Sequence, residues 1–315
     1  MTLVIASVTR DHAFHVSDRL TTVQSRAKSG SEDWDIRANK TVVVIGLGCW
    51  LVLGFTGLAY LDGKPTDQYI AEAISGIDDL SGAGFVGWGA APDLHYQGIL
   101  ERVSHAVLAA YTRLPVSHRK HGLTLSAAGV QLTKPRLRQL LVRLDFTSAG
   151  VQRTEATDPF QSQWTFNSIP IGSVNAPIFD SMRQQLRDHG AESPSRFREI
   201  MMNAVAETGR VSDVVGEDVM SVLLIPHENK IQILFRPARP GQAIELPRVK
   251  PEEADAALRE ATKVYTPFAL LPGMIFCPAV ATPGGWNAGG IQYEILGDET
   301  PGRAFYGSHE RRSGS

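Results

Sequence analysis

The sequence predicts a mixed α+β fold in which two antiparallel sheets pack face to face with helices outside. Three observations carry this expectation. Apolar runs at strand spacing cluster near the N-terminus, in the middle of the chain and before residue 236. Two pairs of segments with helical periodicity separate them. The resulting order of strands, helices, strands, helices, strands suits layered sheets rather than alternating βαβ units. With 315 residues, 43% hydrophobic content and a net charge of −2, the chain has the composition of an ordinary globular protein. The near-neutral balance gives no reason to expect nucleic-acid binding. Cys49 and Cys277 are too few for a disulfide framework, and no apolar run approaches the ~20 residues of a membrane span. Met1–Val8 lacks a basic leader and a long apolar segment, so it does not read as a signal peptide, and cytoplasm is the default location.

The first elements form a hairpin: an apolar run from Leu3 to Thr9, a turn at Arg10-Asp11-His12, and a strand from Ala13 to Ser17 ending in Asp18-Arg19. Because hairpin strands run antiparallel, Asp18 returns to the neighbourhood of Thr2. A third strand, Thr41–Ile45, follows Ala38-Asn39-Lys40, and a fourth, Trp50–Phe55, ends in Thr56-Gly57-Leu58-Ala59. Thr66–Ile77 reads as an amphipathic helix, Asp78–Asp93 as a loop or loose strand, and Leu94–Arg113 as a longer helix stopped by Pro115. Strands are expected at Leu123–Leu132, Leu137–Phe146 and Trp164–Ile171. The helices Asn175–His189 and Pro194–Thr208 come next, then the strands Val219–Ile225 and Ile231–Phe235. Beyond Arg236 prolines become frequent around a short helix, Pro251–Lys263, and two apolar runs, Gly273–Cys277 and Gly290–Leu296. These runs could pair as a hairpin across Thr282–Gly289, so residues 237–315 read as a C-terminal appendage to a domain spanning residues 1–236. The tail Gly307–Ser315 reads as frayed.

Thr2 is the residue with the most chemistry in it. Once Met1 is removed, a step favoured by the small residue after it, Thr2 carries a hydroxyl nucleophile and a free α-amine that titrates near pH ~8. One residue then supplies both attack and proton transfer.

Thr2, Asp18, Lys40 and Thr56-Gly57, in that order and spacing, resemble the proteasome β-subunit and HslV peptidase family of N-terminal nucleophile hydrolases. In that family the mature chain begins with threonine, an acidic residue ends the second strand, a lysine opens the third and a small turn with glycine closes the fourth. The resemblance implies a four-layer αββα sandwich and a threonine-type amide hydrolase. It covers residues 1–236 and leaves the remainder unmatched. Lys40 would favour deprotonated forms of Thr2 by charge, and Asp18 would orient Lys40. The N–H of Gly57 could stabilise the oxyanion of a tetrahedral intermediate. Ile171-Gly172-Ser173 resembles the turn that brings a supporting serine, Ser173, to the nucleophile.

The chain departs from the family pattern in three places. Val174 replaces a glycine after Ser173, and Val215 stands where a serine is expected in Ser212-Asp213-Val214-Val215-Gly216, with Asp213 one position out. The loop from Thr22 to Arg37 is longer than usual. Three functional readings follow: a peptidase, an N-terminal nucleophile hydrolase of small amides, and a non-catalytic member that serves as an assembly or binding scaffold. Family rings imply a homo-oligomer, with an ATP-dependent unfoldase as a candidate partner. Tyr96, Ile99, Leu108 and Tyr111 add apolar surface to the Leu94–Arg113 helix beyond one core stripe, which also suits self-association.

Other motifs lead nowhere. Ile45-Gly46-Leu47-Gly48-Cys49-Trp50-Leu51 lacks the third glycine and the helix of a dinucleotide loop. His118 with His121 and His12 with His15 lack further ligands and read as solvated, so no metal and no cofactor are expected. Cys49 reads as core, and there is no Gly-x-Ser-x-Gly elbow.

Overall fold

The computed structural model describes residues 2–24, 31–35, 39–46, 48–81, 84–88, 95–120, 122–133, 136–156, 166–236, 264–278, 280–281, 284–288 and 290–296. It is a mixed α+β structure with two large sheets. One has seven strands in the order Asn167–Gly172, Leu3–Val8, Ala13–Asp18, Val219–Ile225, Lys230–Arg236, Ile291–Leu296, Gly284–Ala288. The other has eight: Gly150–Glu155, Arg136–Thr147, Leu123–Thr133, Cys49–Gly57, Thr41–Ile45, Phe268–Leu271, Gly273–Cys277, Gly84–Trp88.

Side-chain alternation explains why the central strands read as unbroken apolar runs. In Thr41–Ile45, Val42 and Val44 join a core with the helices Thr66–Ser75 and Tyr96–Arg113, while Val43 and Ile45 join a second core with residues of the other sheet, Ala6, Val8, Met220 and Val222 among them. In the seven-stranded sheet Leu3, Ile5, Phe14 and Val16 face a third core with the helices Ala176–His189 and Pro194–Arg210. Both faces of these strands are therefore dry. Each valine so buried contributes roughly 1.5–3 kcal/mol of transfer free energy.

Helix boundaries follow local chemistry. Gly76 takes the left-handed conformation that ends Thr66–Ser75, Asn175 accepts a hydrogen bond from the Ile178 N–H, and Ser193 caps Pro194–Arg210 through the Arg196 N–H. A strand at Gly84–Trp88 lies within the segment expected as a loop or loose strand, and Gly150–Glu155 is a strand the sequence reading did not separate. Thr21–Gln24 pairs with Ser31–Asp35 inside the stretch read as a long loop.

The C-terminal part corrects the expected hairpin. Gly273–Cys277 does not pair with the last apolar run; it pairs with Phe268–Leu271 and Gly84–Trp88 in the eight-stranded sheet. Ile291–Leu296 instead pairs with Gly284–Ala288 and, in parallel, with Lys230–Arg236 in the seven-stranded sheet. Phe268–Leu271 runs parallel to Thr41–Ile45, with Phe268 opposite Val42. Chain beyond Arg236 thus completes both sheets rather than hanging from them. Pro251–Lys263 and Gly307–Ser315 lie outside the described residues.

Two further expectations change. Tyr96, Ile99 and Tyr111 are 4%, 0% and 3% exposed in the core under the eight-stranded sheet, with Leu108 packed against it, so they offer no spare apolar surface for self-association. The stripe on this helix is wide because the strands Cys49–Gly57, Arg136–Thr147 and Gly150–Glu155 and the neighbouring helix Thr66–Ser75 share it. His12 and His15 are buried, not solvated. His118 is exposed as expected, and His121 lies outside the described residues.

Candidate active site

Four strand ends meet at Thr2. The Leu3–Val8 strand pairs on one side with Ala13–Asp18, placing Val4 opposite Ser17, and on the other with Asn167–Gly172, placing Leu3 opposite Gly172. Lys40 immediately precedes Thr41–Ile45, and Gly57 ends Cys49–Gly57, on the facing sheet. The hairpin logic that returns Asp18 to Thr2 is what the register shows. Thr2, Asp18 and Lys40 are all buried.

Asp18 is the hub. Its Oδ1 accepts the Leu3 N–H at 2.9 Å, and its Oδ2 accepts the Leu20 N–H at 3.1 Å, the Gly216 N–H at 3.0 Å and the Lys40 Nζ at 2.9 Å. The carboxylate side chain has no solvent exposure and that of Lys40 is 4% exposed. A buried ion pair holds only when further hydrogen bonds satisfy the remaining lone pairs, and three main-chain donors do so here. Lys40 Nζ also donates to the Leu20 carbonyl oxygen, and the Thr2 hydroxyl lies 3.5 Å from that same oxygen. One carbonyl thus brings the ammonium and the hydroxyl together.

The other side of Thr2 is held through its carbonyl. The Ser173 N–H donates to it at 2.9 Å and the Thr56 hydroxyl at 3.2 Å. Gly172 takes φ +94°, and a Cβ there would stand 1.8 Å from the Thr2 carbonyl oxygen, so only glycine allows this approach. Gly57 takes φ +104°, and a Cβ there would stand 2.3 Å from the Gly122 carbonyl oxygen. Its glycine therefore meets a backbone requirement whatever its N–H does. Val215 sits in the apolar core with the Pro194–Arg210 helix, Asp213 is exposed, and Val174 is 41% exposed beside Ser173.

Sequence reading brought together Thr2, Asp18, Lys40, Gly57 and Ser173 in one region. It missed the Thr56 hydroxyl, the Gly216 N–H and the Leu20 carbonyl. Thr56 and Gly216 stood within quoted motifs, but nothing in a sequence marks a main-chain oxygen such as that of Leu20. Among the described residues no group of three or more His, Cys, Asp or Glu side chains could hold a metal ion, and no helix is long and apolar enough to cross a membrane.

No family model matches the sequence, and the curated proteins contain no match. Solved structures do match. Anbu, the ancestral beta-subunit, from Yersinia bercovieri is 16% identical with a TM-score of 0.45, over 71% of this chain and 81% of that one. Eukaryotic HslV from Trypanosoma brucei is 14% identical with a TM-score of 0.38, over 71% of this chain and 99% of that one.

Proposed function

We propose that this protein is a proteasome-like N-terminal threonine hydrolase that cleaves amide bonds, with peptides as its substrates and an αββα arrangement of its layers. The observation that carries the reading is the buried Lys40–Asp18 pair, which shares the Leu20 carbonyl with the Thr2 hydroxyl. After removal of Met1, the Thr2 Oγ attacks the substrate carbonyl carbon and its proton passes to the Thr2 amine. The tetrahedral oxyanion collapses to an ester as the amine product departs with a proton, and water then releases the acid. The positive charge of Lys40 favours loss of the hydroxyl proton, while Asp18 keeps the ammonium in place. Gly57 N–H serves the oxyanion, a donor typically worth ~3 kcal/mol, and Ser173 supports the Thr2 end of the strand. In this reading the protein acts in the cytoplasm as a homo-oligomer, with an ATP-dependent unfoldase as a candidate partner and no cofactor.

A second reading, a non-catalytic scaffold, is favoured by one observation: Val215 occupies an apolar core where the family pattern has a hydroxyl. A fluorogenic peptide panel extended with N-acyl amino acids separates the readings, and it also distinguishes peptides from small amides. Purified protein is expected to lack Met1 by intact mass and to hydrolyse a peptide probe, and Thr2→Ala is expected to abolish hydrolysis with unchanged circular dichroism. Full activity in Thr2→Ala would overturn the mechanism. Retention of Met1 would leave no free amine and favour the scaffold.

A further inference from the structure

Lys40 is tied down not only by its own ammonium but by both of its chain neighbours. On one side, the Asn39 side-chain amide donates to the Thr266 carbonyl oxygen at 3.0 Å, and Thr266 leads directly into Phe268–Leu271, the C-terminal strand parallel to the strand that Lys40 opens. On the other side, the Thr41 Oγ1 lies 3.2 Å from the His15 Nδ1. Thr41 and His15 are both fully buried. His15 belongs to the facing sheet, three residues before Asp18 on the same strand, so the His15–Thr41 bond spans the same two strands as the Asp18–Lys40 pair.

The space for this cross-link comes from Gly54, which stands opposite Thr41 in the neighbouring strand. A Cβ at Gly54 would lie 1.8 Å from the His15 Nε2, so the imidazole fills the place a side chain would take. A histidine between two sheets, rather than another valine, is costly unless bonded. Burial holds its pKa down at about 3, so the ring is neutral and contributes a directional hydrogen bond without adding a charge beside the ion pair.

We infer that His15 and Asn39, acting through Thr41 and through the main chain of Lys40, are positioning residues that set where the Lys40 ammonium sits relative to Thr2. This rests on the reading of Lys40 as an assistant to Thr2 given above. A displacement of about 1 Å in such a group can cost on the order of a hundredfold in rate. Neither tie touches substrate, so the effect belongs in turnover rather than in substrate affinity.

The decisive variant is Thr41→Val, which keeps the shape of the side chain and removes the bond to His15. Thr41→Val and Asn39→Ala are each expected to lower kcat on the fluorogenic peptide at least tenfold with KM within twofold of the parent, and Thr41→Ser is expected to restore kcat to within threefold. His15→Leu should match Thr41→Val; should it fail to fold, the two milder variants carry the test. A parallel measurement does not depend on hydrolysis: the side-chain resonance of Lys40 in protein carrying 15N-lysine, assigned with Lys40→Arg. A shifted Lys40 resonance in Thr41→Val, restored in Thr41→Ser, supports positioning even if the parent cleaves no amide, in which case the hydrolase reading alone falls. An unmoved resonance together with unchanged kcat, and only a lower unfolding midpoint, would show that these residues are structural and overturn the inference.

Discussion

The two sides of Thr2 are built from different materials. On the side of the hydroxyl, charge and a four-way carboxylate hold the site: Asp18 gathers two main-chain donors from its own hairpin, one from Gly216 and the Lys40 ammonium from the opposite sheet. On the carbonyl side, Thr2 is held by the Ser173 N–H, the Thr56 hydroxyl and the absence of a side chain at Gly172. The first side is sensitive to side-chain chemistry. The second depends mostly on the path of the backbone, so the exposed Val174 side chain next to Ser173 stands clear of the contacts that hold the Thr2 carbonyl.

The largest effect that would test this contrast is Asp18→Ala. It leaves three buried N–H groups without their acceptor and the Lys40 ammonium without its counter-charge, and breaking a buried pair in this way costs ~3–5 kcal/mol. Urea unfolding should register that loss. A cost below ~1 kcal/mol would mean that water reaches the pair and that the two sides are not so different.

Acid comes next. His15 and His12 have their pKa values held down by burial, to about 3 and about 4, and His227 beside His12 lowers the latter further. Below the ordinary value of 6.5 the unfolded chain binds protons that the folded one refuses. Stability is therefore complete above that pH and declines as pH falls toward 4, by about 1 kcal/mol or more per pH unit. Unfolding midpoints measured from pH 7 to pH 4.5 should fall steadily, and His12→Gln should flatten the slope. A level profile would place the imidazoles in contact with solvent and loosen the charged side of the site.

Lys40→Ala is the third test. Turnover should drop by two or more orders of magnitude, the size expected of acid–base assistance, and Lys40→Arg should restore little because a planar guanidinium differs in shape and basicity. The smallest effect belongs to the backbone side. Ser173→Ala keeps the N–H that contacts Thr2, so kcat should stay within threefold of the parent; a hundredfold loss would show that the hydroxyl matters and that both sides work through side chains.

Much of this geometry was legible because it is local or nearly so. The hairpin places Asp18 by Thr2 through turn and alternation alone, and the apolar runs at Thr41–Ile45 and Val219–Ile225 mark themselves as strands. Where the sequence misled, the missing information was long-range. The helical stripe containing Tyr96 and Tyr111 looks too wide until several strands of the sheet and a second helix are seen to cover it. His15 looks like a surface residue by its chemistry, and only the vacancy at Gly54 explains its burial. The strands after Arg236 looked like a mutual hairpin because local pairing is all that adjacent apolar runs suggest, whereas their partners lie in distant segments and in part run parallel.

Those late strands also impose a schedule on biosynthesis. The strand opened by Lys40 gains its neighbour on one edge, Phe268–Leu271, only after the intervening chain has been made. At roughly 5–20 residues per second this interval lasts on the order of ten to forty seconds. Throughout it the nascent chain contains Thr2, Asp18 and Lys40 but lacks Thr266, whose carbonyl accepts from the Asn39 side chain. A ribosome-bound intermediate is thus unfinished beside Lys40, and the order of translation leaves the surroundings of the Asp18–Lys40 pair to be completed last.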